Sequence, residues 1–185
     1  ASLAVEQLPQ AVQADLLRLF SVGEGRIYGS TVANFLVSGA PVSEFRIRVP
    51  EGVENVDFVG RDIRGWTKGE EGVYEVRLHA PAAGAYTLLC TYESKLGADG
   101  GPVIFQGVDP LGVASEQGYL VVVSNFPFSI GAVKFPSGLI RLEPNEIPSE
   151  FRLLYDAQVL AAFQYTNSPT VSIELRSPAQ AKAKD

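Results

Sequence analysis

The stretch VYEVRLHAPAAGAYTLLCTYE, residues 73–93, indicates the fold. In its first part, the apolar positions 74, 76 and 78 alternate with the polar positions 75, 77 and 79, and in its second part Tyr86, Leu88, Cys90 and Tyr92 take every second position. Successive side chains of a strand point to opposite faces, so both parts are predicted to be strands with one buried face. The segment APAAG between them is typical of a turn, and the whole stretch therefore predicts a β-hairpin.

The same alternation decides how the single cysteine is interpreted. A nucleophilic cysteine needs a base, usually histidine, and the chain has one cysteine, Cys90, and one histidine, His79. The pattern places His79 on the charged face with Glu75 and Arg77, while Cys90 lies on the apolar face. We therefore predict that Cys90 is a packing residue. One cysteine and one histidine also cannot supply a zinc site, so we expect no catalytic residue, no metal and no cofactor.

Further segments extend the β pattern along the chain. EFRIRV (44–49) and TVSIELR (170–176) alternate cleanly, whereas GYLVVVSN (118–125) and QVLAAFQY (158–165) are apolar on both faces and are typical of central strands. Gly- and Pro-rich turn segments separate these runs, and NEIPSEF (145–151) is compatible with one helical turn. The fold class predicted from this pattern is all-β: a mostly antiparallel β-sandwich.

The N-terminal segment has a different spacing. In residues 5–20, Leu8, Val12, Leu16 and Leu19 recur at helical intervals, which predicts a short N-terminal helix. The chain is accordingly divided into a helical segment (1–22), a β-sandwich (23–177) and a polar tail (178–185). The segment 107–118 is either a long connection within one sandwich or a boundary between two smaller ones.

Charge and composition bear on several classes of partner. The net charge is −6 and basic residues form no cluster, so the electrostatic source of nucleic-acid affinity is missing. No apolar run approaches the ~20 residues that span a bilayer, and we expect no membrane insertion by this segment. The 185 residues include no methionine, which favours a processed mature protein or a piece excised from a longer one.

The most distinctive polar stretch is GRDIRGW, residues 60–66. Arg61, Asp62 and Arg64 surround Trp66, and this combination is a candidate contact site for carbohydrate or protein. The alternative is a charged loop whose tryptophan fills the core. A bend at Gly65 would turn Trp66 inward and bury the large apolar area of its indole, and we predict this second arrangement.

Four stretches together resemble a β-rich region of large bacterial envelope proteins of the kind found in Verrucomicrobia and Planctomycetes. They are residues 28–66, GAYTLLCTYE (84–93), VDPLGVASEQGYLVVVS (108–124) and residues 140–166. The resemblance covers roughly residues 24–176 and rests on the order of strands and turns. It implies a segment of a longer exported or membrane-anchored protein composed of consecutive β-domains, located in the periplasm or at the cell surface.

Three functions follow as hypotheses. The leading one is a non-catalytic structural or protein-interaction module of a cell-envelope protein, with other domains of the same chain or other envelope proteins as partners. The second is a carbohydrate-binding module that presents Trp66 to polysaccharide. The third is a fragment of a glycoside-processing enzyme, which would require two carboxylates facing each other across a cleft.

Overall fold

The computed structural model describes residues 9–97, 101–167 and 169–178, and strands dominate these ranges. Two single-turn 3₁₀ helices lie at Glu70–Gly72 and Pro144–Glu146, and one short α-helix, α1, lies at Ser149–Arg152, so the predicted helical turn near residues 145–151 is confirmed. None of the helices in these ranges is long and apolar enough to cross a lipid bilayer. The strands assigned in these ranges are β1 (Ala11–Val22), β2 (Arg26–Arg48), β3 (Glu54–Gly60), β4 (Ile63–Lys68), β5 (Val73–Lys95), β6 (Gly101–Phe105), β7 (Asp109–Pro110), β8 (Ser115–Ser124), β9 (Ser129–Lys134), β10 (Ile140–Leu142), β11 (Gln158–Tyr165) and β12 (Val171–Arg176).

These strands form two sheets. The large sheet has the order β10-β11-β8-β1-β2-β5-β3, with β4 also paired to β5 and β7 to β2, and the small sheet has the order β6-β12-β9. Every pairing is antiparallel except that of β1 with β8, which runs parallel from Gln13 opposite Ser115 to Ser21 opposite Val123. The all-β, mostly antiparallel prediction is therefore confirmed.

The helix predicted over residues 5–20 is wrong for residues 11–20, which lie in β1. Val12, Ala14, Leu16 and Phe20 are buried at alternate positions, as in a strand with one face on the core. Arg18 occupies the next inward position and is also fully buried, so a charged residue interrupts the apolar pattern of this face. Because β1 also carries apolar residues on its second face, its sequence satisfies a helical spacing as well. Residues 5–8 of the predicted helix lie outside the described residues.

The hairpin predicted over residues 73–93 is also wrong. The chain does not reverse at APAAG, because β5 continues through it as a single strand, and β2 likewise continues through SGAP (38–41). The two strands pair on both sides of this point, with register shifts between Val37 and Val42 and between Val42 and Glu44. Gly39 and Gly84 near this point have φ angles of 75° and 70°, which glycine adopts readily. The Gly- and Pro-rich segments thus coincide with a register irregularity that the two long strands share.

The predicted faces of these strands are confirmed even though the hairpin is not. Phe45, Ile47 and Val49 are buried, as are the inward positions of β12. Residues of the small sheet belong to the same apolar cluster as those of β1, β2 and β5, so the two sheets enclose one core in a sandwich-like arrangement. These shared small-sheet residues are Phe105, Val171, Ile173 and Leu175.

A second, smaller core lies on the opposite side of the large sheet, which we call the outer face. Leu17, Val121, Val123 and Ala162 are buried there beneath Ile147. The cover comes from the segment 142–157, which contains α1 and packs Phe151 onto Tyr119. The segment 107–118 holds β7 and the first residues of β8, and the polar tail beyond residue 178 lies outside the described residues.

Candidate functional site

The most unusual polar feature inside the fold is a group of four side chains, here called the Arg18 cluster: Arg18, Asp109, Glu116 and Tyr165. The Arg18 side chain is 0% exposed. Its Nε donates to the Tyr165 hydroxyl at 2.9 Å, and its Nη1 donates to the Gln106 carbonyl at 2.7 Å. Its Nη2 lies 3.0 Å from Asp109 Oδ1 and 3.2 Å from Glu116 Oε2. The guanidinium carbon also lies 5.3 Å from the centre of the Tyr165 ring.

Four strands bring these side chains together. β1 carries Arg18 on its inner face, and the parallel partner β8 carries Glu116 near its start. Asp109 is positioned by the short β7, where it pairs with Arg48 of β2. Tyr165 is the last residue of β11, on the far side of β8. The cluster therefore links segments that are distant in sequence and meet only in the completed fold.

The electrostatics of the cluster are set by one cation facing two carboxylates. Burial alone would lower the pKa of Arg18, but Tyr165, Glu116 and Asp109 together raise it above its ordinary value. Burial raises the pKa of the Glu116 carboxyl, and Asp109 adds to that rise, while Arg18 opposes it. Burial also raises the pKa of the Tyr165 hydroxyl, so this group remains protonated at neutral pH. Glu116 is thus a carboxyl whose burial favours its protonated form.

The two carboxylates reach the surface of the protein. The Asp109 and Glu116 side chains are 23% and 12% exposed, and both line an open depression of about 540 Å³. Arg48, Ser115 and Asn167 also line this depression. Arg18 itself lies below its floor, where its Nη2 holds one oxygen from each carboxylate. The arrangement can fix the positions of two acids and accept a proton at Glu116.

Sequence reasoning did not find this cluster. The signal for Arg18 was present, because a single charged residue stands inside the apolar run LLRLF, residues 16–20. Asp109 and Glu116 carry no such signal, since they stand in the segment 107–118, which was predicted to be either a long connection or a boundary between two smaller sandwiches. No three His, Cys, Asp or Glu side chains in the described ranges are grouped so that they could hold a metal ion.

The predicted contact site at residues 60–66 is divided between a turn and a strand. Arg61 and Asp62 form the turn between β3 and β4, with Asp62 at a φ of 58°, and the Arg61 Nε lies 3.9 Å from Asp62 Oδ2. The Arg61 guanidinium carbon lies 5.5 Å from the centre of the Tyr86 ring. The Tyr86 hydroxyl in turn donates to the Arg61 carbonyl at 2.7 Å. Burial raises the pKa of that hydroxyl, and nearby Arg61 opposes the rise.

Trp66 and Arg64 lie in β4, where the register with β5 shifts between Ile63 and Gly65. Arg64 is exposed, whereas Trp66 is half-buried and packs against the main core. The Trp66 ring meets Phe58 edge-on, with ring centres 5.5 Å apart. The structure therefore places Arg61 against Tyr86 and Trp66 against Phe58, on two different aromatic groups.

Cys90 is 3% exposed and lies in the main core, so its predicted burial is confirmed. Burial, with a smaller contribution from Asp57, raises the pKa of its thiol to about 12. His79 is exposed near the opposite end of the same long strand. A thiol with this pKa forms very little of the reactive thiolate near neutral pH.

Comparison with known proteins gives a fold likeness. No protein-family model matches the chain, and a search of curated proteins returned no match. Among solved structures, a two-domain M1 zinc metallopeptidase mutant bound to L-tryptophan is similar at a TM-score of 0.50 and 14% identity, covering 89% of this chain and 43% of that one. The M1 zinc metallopeptidase from Deinococcus radiodurans is similar at a TM-score of 0.47 and 15% identity, covering 89% of this chain and 42% of that one. The chain thus spans less than half the length of these peptidases, and at these identities the likeness concerns the fold alone.

Proposed function

We propose that this chain is a non-catalytic protein-interaction module of a longer bacterial cell-envelope protein, located outside the cytoplasm. The resemblance of residues 24–176 to β-rich regions of envelope proteins supports the location. The feature that supports the interaction role is a row of apolar side chains on the outer face of the large sheet. The row starts beneath the segment 142–157 and ends at solvent-exposed residues.

The apolar row crosses five neighbouring strands. Tyr119 of β8 is opposite Leu17 of β1, and Leu17 is opposite Val32 of β2. The row continues through Leu89 of β5 to Val59 of β3. Its first members belong to the core that the segment 142–157 covers, but Val59 is 55% exposed. A row of apolar side chains that extends from a packed core onto the exposed surface is typical of a surface that another protein element covers.

Neighbouring residues widen the open part of this row. Leu36 and Tyr28 of β2 are 53% and 47% exposed and point to the same face as Val32. Beside them, the Thr87 hydroxyl donates to Asn34 Oδ1 at 2.8 Å, so the surface mixes apolar and polar groups.

The occupant that we propose is another domain of the same longer chain. The two-domain metallopeptidase supports this choice, since a similar fold forms only 43% of that chain. Interfaces between domains of one chain are moderately sized and mix apolar and polar groups, as this surface does.

The test is thiol labelling at the end of the apolar row. In a Cys90→Ala background, Val59→Cys places one thiol in the open part of the row, and Lys68→Cys places one at an exposed site in β4. Both thiols are labelled in the 185-residue chain and in the complete product of its gene. We expect at least a tenfold slower reaction at position 59 in the complete protein and an unchanged rate at position 68.

Equal labelling rates at position 59 in the two proteins would contradict the proposal. Slower labelling at both positions would indicate general shielding and would count against this surface as the specific interface. A retained labelling difference after Leu36→Lys, which adds a charge to the same surface, would also count against it.

A second candidate function, a fragment of a glycoside-processing enzyme, is favoured by one observation. Asp109 and Glu116 line one depression, and the pKa of Glu116 is raised, as that of a general acid in a glycosidase is. Against it, both carboxylates are bonded to Arg18. Release of reducing sugar from peptidoglycan, abolished by Glu116→Gln, would establish this activity in place of the leading proposal.

A further inference from the structure

The small sheet has a free edge at β6, which pairs only with β12 among the described strands. A free edge presents unpaired backbone N–H and C=O groups and can pair with a strand of another molecule. Natural proteins usually protect such an edge with charged side chains or proline. How each edge of this fold is protected therefore indicates which one is available for pairing.

The other described edge strands all carry charge, and β6 does not. Residues 101–107, GPVIFQG, contain no charged side chain. The charged residues on the remaining edges are Glu54 and Asp57 of β3, Arg64 and Lys68 of β4, Asp109 of β7, Lys134 of β9 and Arg141 of β10. The protection of β6 consists of Pro102 alone, near the start of the strand.

The exposed side of β6 is apolar and its buried side is firmly held. Ile104 is 66% exposed, among the largest exposures of any apolar side chain described. On the other side, Phe105 is buried and meets Phe20 edge-on, with ring centres 5.2 Å apart. Arg18 fixes the next residue by donating to the Gln106 carbonyl at 2.7 Å. The edge is thus held in an extended form before any partner arrives, which reduces the entropy lost on pairing.

The occupant follows from symmetry and charge. In a twofold dimer, antiparallel pairing of one strand with its own copy places the residue on the axis opposite itself and the others within a few residues of their copies, so a charged edge would repel itself. β6 avoids this repulsion. The nearest charges on the adjacent β12, Glu174 and Arg176, are paired with each other at 3.1 Å. We propose that two copies of this chain associate through antiparallel pairing of β6 with β6, which joins the two small sheets into one continuous sheet.

This dimer uses a different surface from the apolar row of the large sheet, so the two proposals succeed or fail independently. The measurement is sedimentation velocity over a concentration series of the 185-residue chain. We expect the mass to rise to about twice that of the monomer. Ile104→Lys places a charge beside its own copy on the edge and should keep the chain monomeric at every concentration.

The matched control is Ala132→Lys, which adds the same charge to β9 at the opposite edge of the same sheet. This variant should dimerise like the unmodified chain. Circular dichroism and the urea midpoint of each variant establish that it is folded. A monomeric unmodified chain, or an equal loss of dimer in both lysine variants, would overturn the proposal.

A crosslinking variant provides a second measurement that does not weaken the edge. Ile104→Cys in the Cys90→Ala background should form an intermolecular disulfide under mild oxidation, because pairing centred on residue 104 places its two copies opposite each other. The corresponding Ala132→Cys variant should not. Failure of the first to crosslink, or equal crosslinking of both, would also overturn the proposal.

Discussion

Among single substitutions of an arginine or lysine by methionine, Arg18→Met should cause the largest loss of unfolding free energy. Methionine retains the apolar stem but removes the donors to Tyr165, Gln106, Asp109 and Glu116. The two carboxylates then share a partly buried site without their cation. Removing one partner of a buried ion pair costs about 3–5 kcal/mol, which is a large part of the ~5–15 kcal/mol that stabilises a typical domain.

The assay is urea unfolding followed by far-ultraviolet circular dichroism at pH 7. The matched control is Arg26→Met, because Arg26 is 40% exposed and its ion pairs with Glu54 and Glu93, at 3.5 and 3.6 Å, are open to water. We expect that control to lose no more than about 1 kcal/mol of unfolding free energy. Similar losses for the two variants would refute the idea that the Arg18 cluster stabilises the fold.

The pH dependence of the same variant tests the assignment of Glu116. Because the pKa of Glu116 is raised in the folded state, its ionisation costs stability above that pKa, and the cost disappears as the pH falls through it. Arg18 opposes that rise, so its loss raises the pKa of Glu116 further. The deficit of Arg18→Met should therefore shrink as the pH is lowered from 7, and Glu116→Gln should recover part of it at pH 7. A deficit that is constant with pH would assign the effect to packing alone.

Three further outcomes are expected. Cys90→Ala should cost on the order of 1 kcal/mol at pH 7. The pKa of the thiol is about 12 in the folded protein and 9.0 ordinarily, so ionisation of the unfolded thiol lowers the stability of the unmodified protein above pH 9. In urea titrations, the difference in unfolding free energy between the unmodified protein and Cys90→Ala should therefore decrease as the pH rises from about 9 to about 12. Trp66 should show a blue-shifted emission maximum that added polysaccharide does not change; a red-shifted, readily quenched emission that responds to a glycan would favour the carbohydrate-binding hypothesis. Gly118→Ala should lower the thermal midpoint strongly, because its Cβ would lie 2.0 Å from the Leu16 carbonyl oxygen, whereas Gly65→Ala, which meets nothing within 4 Å, should leave it nearly unchanged.

The alternation of apolar residues was sufficient to predict the all-β class and the buried faces. The positions of Cys90 and of the inward residues of β2 and β12 follow from it directly, because each strand has one face on the core. Central strands such as β8 and β11 were also predictable, since both of their faces are apolar.

Two errors have the same physical origin: local sequence does not reveal which long-range partner a segment finds. Residues 80–84 have turn composition, but β5 pairs with β2 on both sides of a register shift at that point, so the chain continues as one strand where a reversal was predicted. Residues 11–20 fit a helical spacing, but pairing on both sides of β1 makes the strand favourable. The Arg18 cluster was unpredictable for a related reason, because its members become neighbours only after β8 lies beside β1.

The wide sequence separation within the Arg18 cluster has a consequence for the order of events on the ribosome. The residues that bond to Arg18 stand 88, 91, 98 and 147 positions after it. While the first hundred residues emerge, β1, β2 and β5 can pair with one another. The Arg18 guanidinium then has none of its hydrogen-bond partners and must stay in contact with water. We expect a nascent chain arrested before residue 106 to remain protease-sensitive, and resistance to appear only after Asp109 and Glu116 have left the exit tunnel. We therefore expect a single early arginine to delay closure of the core until the second half of the chain has been synthesised.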